Sequence, residues 1–154
     1  MALFEDLTYS QVSAICSKFV FRGSDSLRLL SYKKKAGAVI KLLSSKKDFA
    51  PSRIYKLLEP LSLEVILLIM ARTILMGSEV KAALVNSRIK AFLAKYNGMR
   101  LHIRGDDLKA MGLKSGPDFK VILDNTLYNK IDGKLKTKRD ELAHARVLTL
   151  KRTR

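Results

Sequence analysis

The chain has 154 residues, 47% of them hydrophobic, which is enough to bury a core in one domain or two small ones. Its 30 Lys and Arg against 14 Asp and Glu give a net charge of +16, which favours a polyanionic partner or an anionic surface. The single cysteine, Cys16, excludes an internal disulfide and fits a reducing compartment. The N-terminus lacks the basic and apolar segments of a secretory signal, so we expect a cytoplasmic protein.

Apolar residues at helical spacing predict five helices in the first two thirds of the chain, over about 8–21, 25–46, 51–58, 63–76 and 78–96. The fourth is strongly apolar and is predicted to be the buried centre of a bundle. Glu64 and Arg72 interrupt it, and it is shorter than the roughly 20 residues that cross a bilayer, so no membrane partner is expected.

A glycine-proline corner dominates the last third. Aspartate opens a short helical turn after Gly105, Gly112 can close it in the left-handed conformation, and Gly116-Pro117 opens the next helix with proline at its first position. That helix is expected to end near Gly133, and Thr137 to cap a last helix. The predicted fold is all-α, with a helical bundle over 1–98 and a smaller helical tail subdomain over 99–154.

The corner also suggests an anion site. The backbone N–H groups in the first turn of the helix after Pro117, with Lys114 and Lys120 beside them, would form a positive concavity suited to a phosphate. Lys33-Lys34-Lys35 on the second helix predicts another basic patch that could follow a phosphate backbone. The alternatives are a corner that only packs and a lysine run that is only a solvated face.

Catalytic and metal-binding patterns are missing from the sequence. Nucleotidyl transfer needs two carboxylates one residue apart on a strand, where both point to one face and share metal ions. Asp106 and Asp107 are instead adjacent at a helix start, about 100° apart around the axis, and are interpreted as capping residues. His102 and His144 lack metal-ligand spacing, so neither a catalytic residue nor a metal site is predicted.

A family resemblance follows from the corner motif. The pattern G-D-D-L-x-x-x-G-L-x-x-G-P from Gly105, followed by Ile122-Leu123-Asp124 and Asp132-Gly133-Lys134-Leu135, resembles the C-terminal region of bacterial CCA-adding enzymes. These belong to the tRNA nucleotidyltransferase/poly(A) polymerase family. The segment 57–65 is similar to a stretch of their helical body, so the resemblance covers about residues 50–145. The positions that match the motif and are expected to be structural are Gly105, Asp107, Leu108, Gly112, Gly116, Pro117 and Gly133.

The resemblance implies body and tail regions that hold the acceptor–T arm and elbow of tRNA, without the catalytic head. The expected partner is tRNA or another structured RNA, together with a catalytic head domain or chain. No cofactor is expected in this chain, because Mg and ATP or CTP would bind only with such a head. RNA contacts are expected at Arg104, Lys109, Lys114, Lys120, Lys134, Lys136, Lys138 and Arg139, and at Lys33, Lys34 and Lys35.

Two other functions remain open at this point. A helical DNA-binding or protein-interaction module would use the glycine-proline corner only for packing. An active nucleotidyltransferase subunit would work with a head that is supplied as a separate chain.

Overall fold

A computed structural model of the chain describes residue 4 and residues 6–152, and this part is helical with no β-strand, as the all-α prediction expected. The helices are α1 (Tyr9–Lys18), α2 (Gly23–Leu43), α3 (Pro51–Leu58), α4 (Leu63–Leu75), α5 (Glu79–Ala91), α6 (Gly105–Ala110), α7 (Pro117–Ile131) and α8 (Lys138–Arg152). Helix α5 continues into a π-helical turn over Phe92–Tyr96. None of these helices is both long enough and apolar enough to cross a membrane.

Local sequence signals account for several helix boundaries. The order Thr8-Tyr9-Ser10-Gln11 has the pattern of a capping box, and the structure forms it at the start of α1. Thr8 Oγ1 accepts the Gln11 N–H at 3.3 Å, and Gln11 Oε1 accepts the Thr8 N–H at 2.8 Å. Pro51 and Pro117 stand at the first positions of α3 and α7.

The predicted end of α2 near residue 46 is wrong, because the helix stops at Leu43. A distant residue sets this boundary. The Arg88 guanidinium donates to the carbonyls of Leu43, Ser45 and Lys47 at 2.7 to 2.8 Å, so these carbonyls have a side-chain partner where the helix ends. Arg88 also lies 4.8 Å from the ring centroid of Phe49.

The chain divides into two compact units, one comprising Met1–Phe49 and Arg53–Ala94 and the other Ala50–Ser52 and Lys95–Arg154. In the first unit, α2 packs against α1, α4 and α5, and α4 also packs against α5. The core of this unit includes Leu43, Leu58, Ile69, Ile89 and Phe92.

The prediction that α4 is the buried centre of a bundle is only partly right. Val65, Ile66, Ile69 and Thr73 face the core of the first unit, whereas Leu63, Leu67 and Ile74 are 54%, 51% and 63% exposed. Because these three positions recur at helical spacing, they form one apolar stripe on the surface of the unit.

The second unit is built from α6, α7 and α8 around Ile103, Leu108, Ile122 and Ala145. Gly112 has a φ of +88°, the left-handed conformation that the sequence predicted, and Gly133, the predicted end of α7, has a φ of +76°. Gly105 does not have a positive φ, and a Cβ at this position would lie at van der Waals contact distance, 3.4 Å, from the Phe119 ring.

Candidate nucleic-acid interface

The glycine-proline corner is held by Asp107. Its carboxylate accepts the Arg104 N–H at 2.7 Å and forms an ion pair with Lys138 Nζ at 3.3 Å. The hydrogen bond from the Arg104 backbone, assisted by Lys138 against the opposing effect of burial, holds the pKa of Asp107 below its ordinary value. This carboxylate therefore brings Arg104 and Lys138, two of the predicted RNA contacts, to one end of α6.

The start of α7 has fewer available backbone donors than the sequence suggested. Pro117 has no N–H, and the Phe119 N–H already donates to the Gly116 carbonyl at 3.1 Å. Lys114 and Lys120 are both exposed beside this helix start. Any anion bound here would consequently depend more on these two lysines than on the peptide groups.

All eight predicted cations of the second unit are exposed. Lys109 forms an ion pair with Asp106 at 3.0 Å, and Arg139 helps to hold the pKa of Asp140 below its ordinary value after the larger effect of hydrogen bonds from Thr137 and Lys136. Lys134 lies near His144 and, after burial, contributes to lowering the pKa of that imidazole. The structure thus arranges these cations around α6, α7 and α8 of one unit.

The lysine run on α2 is less uniform than the sequence suggested. Lys34 is exposed, whereas Lys33 and Lys35 are half-buried. Because neighbouring residues on a helix are about 100° apart, the three ammonium groups leave the helix in different directions.

A cleft of ≈ 320 Å³ on the second unit adds a cation that the sequence analysis did not select. Met111, Leu142 and Ala143 line it together with Arg139 and Arg146. The two arginines are seven residues apart on α8, which places them on one face of that helix. This seven-residue spacing could have identified Arg146 from the sequence, because an arginine two helical turns from a predicted contact lies on the same face of the helix.

Glu141 is the main structural feature that sequence analysis missed. It is completely buried, and its Oε2 accepts the backbone N–H groups of His102 and Ile103 at 2.7 and 3.1 Å. Its Oε1 accepts Lys130 Nζ at 2.8 Å and lies 2.9 Å from His102 Nδ1.

This network keeps Glu141 charged. Burial acts to raise its pKa, but the Lys130 ammonium and the two backbone donors outweigh burial and hold the pKa below its ordinary value. Glu141 thereby fixes the segment that leads into α6. The available signal was an acidic residue one helical turn before Ala145, on the apolar face of α8.

In the part of the chain that the structure describes, no three His, Cys, Asp or Glu side chains lie together in a way that could hold a metal ion. The described polar groups of this interface are the exposed cations, the capping carboxylates and the buried Glu141–Lys130 ion pair.

The fold and this surface define a basic, all-helical module. Over 97 residues the chain is 36% identical to an A-adding tRNA nucleotidyltransferase from Geobacter sulfurreducens, which is 63% of this chain and 10% of the relative. The similarity supports the predicted relationship to tRNA nucleotidyltransferases, and the chain spans about a tenth of that protein's length. No family model matches the sequence, and no solved structure matches it significantly.

Proposed function

We propose that this chain is a tRNA-binding helical module related to the body and tail of a CCA- or A-adding tRNA nucleotidyltransferase, which works in the cytoplasm. The observation that carries the proposal is the 36% identity over 97 residues to an A-adding tRNA nucleotidyltransferase. The net charge of +16 and the exposed cations of the second unit are in keeping with an RNA partner.

The surface suits recognition by shape. A-form RNA hides its base edges in a deep, narrow groove, so a helical protein contacts phosphates and 2′-hydroxyl groups across the RNA surface. The basic side chains around α6, α7 and α8 would hold the acceptor–T arm and elbow through such contacts. Their attraction for RNA should weaken steeply as salt rises, because each bound phosphate releases counterions.

Nucleotide addition would require a catalytic head domain or chain as a partner. Mg and ATP or CTP would bind that head, while the module described here would hold the tRNA elbow at a set distance from the 3′ end. In this division of roles the helical module supplies position and the head supplies chemistry.

The proposal is tested by fluorescence anisotropy with labelled tRNA, in competition with duplex DNA and with unstructured RNA of equal length, at two salt concentrations. We expect tRNA to bind preferentially and in a salt-sensitive manner. Equal competition by all three nucleic acids would reduce the surface to a general polyanion binder, and tighter binding of duplex DNA would favour a DNA-binding module.

The predicted phosphate site at the corner is tested by Lys114→Ala/Lys120→Ala. Because each neutralised phosphate contributes about 0.7 to 0.9 to the slope of log affinity against log salt, the double variant should bind more weakly, with a slope reduced by about 1 to 2. Lys18→Ala/Lys90→Ala removes the same charge from exposed positions on the first unit and is the matched control. Equal losses in both variants would refute a localised site at the corner.

A further inference from the structure

A groove on the first unit lies outside the predicted RNA contacts. It has a volume of ≈ 260 Å³ and is formed by residues of α2, α4 and α5 and the turn after α4. Its lining residues are Gly37, Ile40, Lys41, Ser44, Arg72, Met76 and Lys81, and we refer to it as the Gly37 groove. We propose that the Gly37 groove binds a backbone phosphate and ribose of the RNA, as a second anchor apart from the glycine-proline corner.

The charge of the groove is one-sided. Lys41, Arg72 and Lys81 come from three different helices, and no acidic residue is among the lining residues. Among the residues that the structure describes, neither Lys41 nor Lys81 forms an ion pair. The combination of cationic rims with the apolar side chains of Ile40 and Met76 suits a sugar-phosphate unit, in which a charged group adjoins an apolar face.

Gly37 has no evident structural reason to be glycine. It lies inside the 21-residue helix α2, where glycine is about 1 kcal/mol less favourable than alanine. It is not among the residues with positive φ, and a Cβ placed on it would meet nothing within 4 Å. Neither backbone conformation nor packing therefore requires glycine, whereas a ligand that must approach the helix backbone closely does.

The position of Lys81 is also unfavourable for the stability of α5. It lies in the first turn of α5, where the helix dipole disfavours a positive charge. Lys41 and Arg72 lie in the last turns of α2 and α4, where the dipole favours them. The helix dipole thus favours two of the cations but not Lys81, for which an anion in the groove would provide a partner.

Two residues of the groove share a face of α2 with Lys33 of the predicted lysine patch. Lys33, Gly37 and Lys41 follow one another at four-residue intervals, so they lie on successive turns of the same face of α2. An RNA strand in the groove would therefore extend along α2 toward Lys33. This inference rests on the proposed RNA-binding function and assigns it a second surface.

The first test compares three replacements of Gly37 in the full chain, with labelled tRNA as the probe. Gly37→Ala should already weaken binding by a few-fold, because its methyl group occupies the space that a closely approaching ligand needs. Gly37→Gln should weaken binding further by obstruction, and Gly37→Glu most, by about tenfold or more at low salt, because it adds repulsion. None of the three should unfold the protein, because the space above Gly37 is open.

The second test is Lys81→Ala, which should weaken tRNA binding and lower the salt slope by about 0.7 to 0.9 without loss of stability. Wild-type affinity in both Gly37→Glu and Lys81→Ala, with weaker binding in Lys114→Ala/Lys120→Ala, would overturn the groove while the RNA-binding function stands. If the wild-type chain itself does not prefer tRNA, the proposed function fails and the groove proposal fails with it.

Discussion

Glu141→Gln is expected to destabilise the second unit through its buried network. A glutamine has one acceptor oxygen, so it can serve either the His102 and Ile103 amides or Lys130 Nζ, but not both. If its oxygen faces the amides, its NH₂ group faces the Lys130 ammonium, and two donors meet. Lys130 is only 14% exposed at its side chain, so its charge would have little water to replace the carboxylate.

The size of the expected destabilisation depends on the hydrogen bonds that Lys130 retains in the variant. Breaking a buried ion pair by removing one partner costs about 3–5 kcal/mol. Lys130 Nζ also donates to the Arg100 carbonyl at 2.8 Å, and this bond survives in the variant. We therefore expect a loss of about 2–3 kcal/mol, which corresponds to a roughly 30- to 150-fold change in the opening equilibrium of the unit.

Amide hydrogen exchange is the appropriate assay, because the Ile103 amide reports on the second unit alone. It should exchange roughly 30- to 150-fold faster in Glu141→Gln. Lys109→Met is the matched control, since it removes an exposed ion pair with Asp106 and should leave exchange within about twofold. Adding Lys130→Met to Glu141→Gln should cost less than the sum of the single changes, because the two donors no longer meet. Unchanged exchange in Glu141→Gln, or strict additivity in the double variant, would refute this reasoning.

Two further predictions concern the protonation of His144 and the backbone conformations of Gly133 and Gly37. Burial, assisted by Lys134, holds the pKa of His144 below its ordinary value of 6.5, so the unfolded chain takes up a proton there before the folded one does. The free energy of unfolding should thus be level above about pH 6.5 and fall as the pH drops below it. In unfolding measurements between about pH 7.5 and 5.5, His144→Gln should remove this dependence. A pH profile that the substitution leaves unaltered would contradict the prediction. Gly133→Ala should lower the free energy of unfolding by about 1 kcal/mol, because residue 133 has a φ of +76°. Gly37→Ala should raise it by about 0.5–1 kcal/mol, because residue 37 has an ordinary helical conformation. Shifts of the same sign in the thermal unfolding of the two variants would contradict this contrast.

The sequence by itself determined the helices and their local caps. Thr8 and Gln11 form a capping box, and Gly112 and Gly133 adopt the left-handed conformation because only a few neighbouring residues decide each of these features. Apolar spacing likewise predicted an all-α chain, because the helical period is a property of consecutive residues. The resemblance of the glycine-proline motif to tRNA nucleotidyltransferases also needed nothing beyond the order of residues.

Only the tertiary structure decided features that join residues far apart in the chain. Arg88 sets the end of α2 through carbonyls more than 40 positions away, and the buried Glu141 fixes His102 and Ile103 from another helix. The Gly37 groove is lined by Lys41, Arg72 and Lys81 from three different helices, which no stretch of sequence places together. Sequence patterns describe which face a residue occupies on its own helix, whereas the packing of helices decides which faces meet.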